Sequence, residues 1–220
     1  MALESKVRAY YPDWVVRSAT WLLGVLGWKI SGNRPDCPRC VIICYPHDTN
    51  WDLPYALFTA MQLQIPVVYT MKKEWFWGPL GVFFKWTGGV PIDRSRASNV
   101  VNAIANELNR QDVMFLLIPP EGTRKKVEYW KMGFYWIALT AGVPILPAYV
   151  DYKGKRAGVG DPIMPTGNIA ADFAKIRDFY ISKVGKCGEL PPKYLGEAGQ
   201  QLANNEANAL RGGMPSPAES

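Results

Sequence analysis

The chain holds one histidine, His47, in the segment Tyr45-Pro46-His47-Asp48-Thr49-Asn50-Trp51-Asp52. An imidazole with an ordinary pKa near ~6.5 takes up a proton at neutral pH, which makes it a candidate general base. Asp52 follows five residues later, at the expected start of a helix. From there its carboxylate can turn back to hold the ring N–H, fix the tautomer and stabilise the imidazolium. Taken alone, a single histidine beside an apolar strand is as readily a structural residue. Three further segments bear on the choice: Gly88-Gly89-Val90-Pro91-Ile92-Asp93-Arg94, Pro119-Pro120-Glu121-Gly122-Thr123-Arg124 and Val143-Pro144-Ile145-Leu146-Pro147. All three are expected at strand ends, where open α/β sheets gather their sites.

The elements that must position these residues alternate between β-rich and helical patterns. Strands are expected at Val41–Tyr45, Ile65–Thr70, Gly89–Ile92, Val113–Ile118 and Ile145–Val150. Helices are expected through Leu53–Leu63 and Ser98–Arg110, the latter with Val101, Ile104, Ala105 and Leu108 at helical spacing. Another runs through Tyr129–Ala141 and stops at Gly142, with Pro144 beyond. Asn168 is placed to cap a last helix carrying Ile169, Phe173, Ile176 and Tyr180 on one face. The order predicts a single α/β domain with a mixed, mostly parallel sheet flanked by helices, preceded by an N-terminal interfacial helical segment.

That N-terminal segment is the Trp-rich run from Trp14 to Ile30. Its longest charge-free stretch, Ser18 to Trp28, is about half of the ~20 residues that a spanning helix needs. Trp14, Trp21 and Trp28 recur every seven residues, with Arg17 and Lys29 near the ends, a pattern suited to a helix lying at a bilayer surface. Packing on the domain as an ordinary terminal helix is the alternative. The expected organisation is a membrane-associating segment over 1–34, a catalytic domain over 35–195 and a mobile polar tail over 196–220, where large apolar residues are few.

A formal charge of +6 and nine tryptophans in 220 residues fit an anionic partner and an interface. No zinc-finger spacing, RNP-type motif or long basic block is present, so nucleic acid is not an expected partner. Cys37 and Cys40 lack a second CxxC or nearby histidine pair, and neither metal nor redox use is expected of them. The start of the sequence lacks the basic, apolar and small-residue pattern of a secretory leader.

His-x4-Asp at 47–52, Gly-to-Arg at 88–94, Glu-Gly-Thr-Arg at 121–124 and Val-Pro-Ile-Leu-Pro at 143–147 resemble, in order, the four motifs of the glycerolipid acyltransferase family. The resemblance extends from about Val41 to Asp151. It implies that His47 deprotonates the hydroxyl of a lysophosphatidic-acid-like glycerolipid, which attacks an acyl thioester directly while Asp52 orients the base. The residues agree, since no G-x-S-x-G elbow occurs in the 45–52 segment. The resemblance further implies that Arg94, Glu121, Gly122, Thr123 and Arg124 receive the acceptor's phosphate, and that Lys73 helps bind its headgroup. A guanidinium fork and a glycine that allows close backbone approach are suited to phosphate. Acyl-CoA or acyl-carrier protein would be the donor substrate. No cofactor or metal is implied, and the expected location is the cytoplasmic face of a membrane, with its anionic surface as a partner.

Three positions depart from the commonest form of these motifs: Asp48 stands for a small polar residue, Pro91 for an aromatic and Pro119 for Phe. The acceptor is thus open to another hydroxyl lipid. A lipid-binding pseudoenzyme is a competing reading, against which both His47 and Asp52 argue. Metal-assisted phosphoester hydrolysis finds too few ligands with one histidine in the chain.

Overall fold

The computed structural model describes residues 10–47, 49–92, 100–122 and 130–183, with 71–73 and 91–92 described at the backbone only. Helix α1 (Asp13–Val25) leads into strand β1 (Lys29–Ser31), β2 (Arg39–Tyr45) and helix α2 (Asp52–Gln62). Strand β3 (Val67–Lys72), a 3₁₀ turn (Lys73–Trp75), helix α3 (Gly78–Trp86), β4 (Gly89–Ile92) and α4 (Val100–Arg110) come next. The order ends with β5 (Met114–Leu117), α5 (Gly133–Ala141), β6 (Ile145–Asp151), β7 (Arg156–Val159) and α6 (Ile169–Lys183).

These strands form a seven-stranded sheet in the order β1-β7-β6-β2-β5-β3-β4. The five from β6 to β4 are parallel, while β7 pairs antiparallel with β6 and β1 runs parallel to β7. Covered on both faces, the central β2 needs no polar alternation, and Cys40 to Tyr45 are all buried. Val41, Ile43 and Tyr45 pack with Leu108 of α4, Phe134 of α5 and Tyr180 of α6. Ile42 and Cys44, on the opposite face, meet Leu57 of α2 and Leu23 of α1, respectively, in two adjoining clusters. Asn168 does cap α6, its Oδ1 accepting the Ala171 N–H at 3.2 Å.

The helix expected through Trp14–Ile30 ends earlier. Gly27, at φ +77°, takes the left-handed turn, and the Trp28 N–H reaches the Leu23 carbonyl at 2.8 Å in a Schellman-type closure. Lys29–Ser31 then joins the sheet edge as β1. α1 packs on α2 through Tyr11, Val15, Ala19 and Met61. Among the described residues no helix is long and apolar enough to cross a membrane.

A second correction concerns the fourth motif. Val143–Pro147 flanks the start of β6, and Val41 pairs with Ile145 whereas Tyr45 pairs with Tyr149. The motif therefore sits at the end of the sheet opposite His47. Val143, Ile145 and Leu146 are buried there, and Ile145 bridges to Ile163. Its contribution is to anchor the strand whose other end reaches the site.

Candidate active site

Because β2, β5 and β6 are parallel neighbours, the residues that follow their C-terminal ends meet at one edge of the sheet. His47 comes two residues after β2, Glu121 four after β5 and Tyr152 directly after β6. Asp52 opens α2, so its carboxylate also faces the positive end of that helix.

His47 donates from Nδ1 to Oδ2 of Asp52 at 3.0 Å. The imidazole is 27% exposed and the carboxylate 5%. Oδ2 also accepts the Thr49 N–H at 2.8 Å, while Oδ1 accepts the Thr49 hydroxyl at 3.0 Å and the Tyr152 hydroxyl at 2.6 Å. Four donors thus converge on one carboxylate. Burial by itself pushes the Asp52 carboxyl up, but the hydrogen bonds from His47, Tyr152 and Thr49 outweigh it and hold the group below the ordinary aspartate range. Tyr152 is shifted the other way, first by burial and then by its bond to Asp52, and stays a neutral donor.

Sequence reasoning did not find Tyr152. Its ring is fixed by two aromatics, standing edge-on to Trp28 at 5.5 Å and to Tyr55 at 5.6 Å, which stack on each other at 4.1 Å. The signal that would have revealed it is the pairing of β2 with β6, which brings together residues 100 positions apart.

Glu121 was expected to serve a phosphate. In the structure it is buried, and its Oε2 accepts the His47 backbone N–H at 2.9 Å. This bond ties the loop after β5 to the loop after β2. So placed, the side chain holds the histidine backbone.

Gly122 adopts φ +63°, and a Cβ there would lie 2.8 Å from Cδ and 3.1 Å from Nζ of Lys131. The glycine therefore lets the lysine stem cross the loop, and the Lys131 N–H to Pro120 carbonyl bond at 2.8 Å holds it there. Thr123, Arg124 and Arg94 lie outside the described residues, as does Asp48. For Lys73 only the backbone is described, in the turn that follows β3 at the same edge of the sheet.

Beside His47 opens a cavity of about 780 Å³ between α1, α2 and α3, lined by Trp14, Leu22, Met61, Phe83 and Trp86 as well as by the pair itself. Cys44 also faces it, but burial first, and then the charges of Asp52 and Glu121, push its thiol up to about 12. It is no source of thiolate at neutral pH. Among the described residues no group of three or more metal-binding side chains occurs.

A mostly parallel α/β sheet that presents an oriented His–Asp pair beside an apolar cavity is the frame of an acyl-transfer enzyme, and residues 29–151 match the acyltransferase family. The chain belongs to that family. It is 27% identical over 177 residues to the 1-acyl-sn-glycerol-3-phosphate acyltransferase of Salmonella typhimurium, covering 73% of this chain and 69% of the relative. The enzyme of the same name from Haemophilus influenzae is 31% identical over 158 residues, covering 66% and 64%. That of Escherichia coli is 25% identical over 205 residues, covering 84% and 80%. The crystal structure of the 1-acyl-sn-glycerophosphate acyltransferase PlsC from Thermotoga maritima shares the fold, with a TM-score of 0.51, 19% identity and coverage of 79% of this chain and 76% of that one.

Proposed function

We propose that the protein transfers a fatty acyl chain from a thioester, acyl-CoA or acyl-carrier protein, to the hydroxyl of a 1-acylglycerol 3-phosphate in phospholipid synthesis. The observation that carries this reading is the 3.0 Å bond from His47 Nδ1 to Asp52 at the wall of the apolar cavity. With Nδ1 committed to Asp52, Nε2 takes the proton of the acceptor hydroxyl as its oxygen attacks the thioester carbonyl. Collapse of the tetrahedral adduct breaks the C–S bond and expels the thiolate, which takes from the imidazolium the proton that the acceptor hydroxyl gave up. The cavity volume lies within the ~300–1,000 Å³ range of small-ligand sites, and its wall suits an acyl chain. Lys131 over Gly122 supplies positive charge for the phosphate, joined by Arg94, Arg124 and Lys73, and Thr123 offers it a hydroxyl donor.

The same reading places the protein on an anionic, cytoplasmic membrane surface. Trp14 and Trp21 of α1 are 66% and 69% exposed, and the chain carries a charge of +6.

The test is a panel of lyso-acceptors supplied with labelled acyl-CoA and read by lipid mass spectrometry. Acylation of lysophosphatidic acid that disappears in His47→Ala is expected. Changing Lys131→Met or Arg124→Lys should raise KM for this acceptor and leave monoacylglycerol, a poor substrate throughout, little affected. Preference for a phosphate-free hydroxyl lipid would reassign the acceptor. Lipid binding without turnover on any acceptor would make the protein a carrier.

A further inference from the structure

The segment from Trp75 to Trp86 is anomalous for a surface bathed in water. Trp75, Trp77, Leu80, Val82, Phe83 and Trp86 are all exposed, Trp77 to 78%, and Gly81 is the one buried residue of α3. Phe84 alone of the helix's large side chains leans on the core, against the cluster around Ile42 and Leu57. An exposed apolar surface made of consecutive turns of one helix is a contact surface waiting for a partner.

Three features select the partner. First, Trp75, Phe83 and Trp86 line the cavity that contains His47, and Trp14 of α1 lines it too, so the exposed faces of α1 and α3 stand at the same opening. Second, the patch is rich in tryptophan, whose ring is favoured at the headgroup level of a bilayer. Third, its one charge is Lys85, in the last turn of α3 and exposed, where a cation both suits the helix end and attracts anionic lipid. A nine-residue helix of about 13 Å cannot cross a ~30 Å hydrocarbon layer, so contact along the surface is the geometry left to it.

We propose that α3 is a second membrane-contacting element, which with α1 brackets the cavity opening so that lipid passes from the bilayer to His47 without crossing water. The inference rests on the acyl-transfer reading for what enters the cavity, but the contact itself does not. The faces are apolar lips of one opening: the outward residues Trp77, Leu80 and Val82 dip into the lipid, and the inward Trp75, Phe83 and Trp86 guide the chain.

The test uses the full chain and vesicles of phosphatidylcholine with phosphatidylglycerol. The variant Trp77→Ser/Leu80→Ser/Val82→Ser changes residues outside the cavity wall. It should reduce vesicle partitioning at least tenfold in flotation while its activity on a dispersed short-chain acceptor stays within twofold. Trp77→Phe should keep most of the partitioning, which separates lost contact from lost folding. Unchanged flotation of the triple variant would overturn the proposal. So would a self-association in the parent that the triple variant abolishes without change in flotation, since the face would then cover a second copy of the chain. If the parent floats through α3 yet acylates nothing, the acyl-transfer reading fails and this contact stands.

Discussion

Among the described residues two aspartates are held in nearly the same way, and only one of them has a histidine. Asp172, in the first turn of α6, is fully buried and accepts the Thr166 N–H at 2.7 Å, the Thr166 hydroxyl at 3.1 Å and the Tyr135 hydroxyl at 2.9 Å. Asp52, in the first turn of α2, accepts the N–H and hydroxyl of Thr49 and the hydroxyl of Tyr152. Both tyrosines are pushed up by burial and by the carboxylate they serve. A threonine and a tyrosine clamping an aspartate is therefore a way of keeping a carboxylate buried at a helix start, and by itself says nothing of catalysis. The reactive meaning comes from what occupies the remaining position. At Asp52 that is His47 beside a cavity, whereas at Asp172 it is the edge of Lys175, 4.0 Å away and mostly in solvent.

The comparison breaks most visibly at the histidine. His47→Ala should lower turnover by about 10²–10⁴ while thermal melting stays near that of the parent, because the loop loses proton transfer and little packing. More than a tenth of the activity remaining in steady-state assays would remove His47 from the role of base. Asp172→Ala should do the reverse. It strands the buried Tyr135 hydroxyl as a donor at about 1–3 kcal/mol and releases the exposed Thr166 loop from its anchor, so denaturant midpoints should drop while activity per folded molecule is kept.

How much of this was legible in the sequence follows from distance along the chain. His47 and Asp52 are five residues apart across one strand-to-helix turn, and local spacing suffices to pair them. The strong apolar runs of β2 and β6 were equally plain, since strands covered on both faces carry little polar alternation. Tyr152 was hidden because only the neighbouring position of β2 and β6 brings it to Asp52. The Val143–Pro147 motif was misplaced for the related reason that a parallel strand has a near and a far end, and its sequence does not say which one borders the site. β1 and β7 span three and four residues, too short for periodicity to speak. α3 escaped recognition as a helix because apolar residues occupy nearly its whole circumference and leave no polar face to set a period.

Smaller changes sharpen the contrast between the two clamps. Tyr152→Phe removes one of four donors from a charged carboxylate, a loss of about 1.5 kcal/mol, and should reduce kcat about tenfold with KM little changed. Tyr135→Phe, the matching change at Asp172, should lower stability by a comparable amount and leave kcat alone. If both variants lost activity equally, the tyrosine at Asp52 would be acting only through the stability of the fold.

The least of the expected effects is in the pH dependence of stability, and its sign follows from the donors around Asp52. The carboxyl lies below its ordinary value in the folded protein, because hydrogen bonds from His47, Tyr152 and Thr49 overcome the opposing effect of burial. A group lowered in this way contributes stability that is fully present above the unfolded value, about 3.9, and is lost as the pH falls through the folded value. Asp52→Asn has no such proton to bind, so the difference in stability between it and the parent should shrink on acidification through that window. Tyr152→Phe should keep the carboxylate but weaken the lowering. Its pH-dependent loss should therefore begin at the same pH as the parent's, set by the unfolded value, but end at a higher pH and be smaller, so that its curve lies between the parent's and one without any shift. Urea unfolding followed by tryptophan fluorescence at a series of acid pH values measures all three. A Tyr152→Phe curve parallel to the parent's at every pH would mean that the phenol holds the Asp52 side chain in place without favouring its charged form, and the likeness between the two clamps would then be one of shape alone.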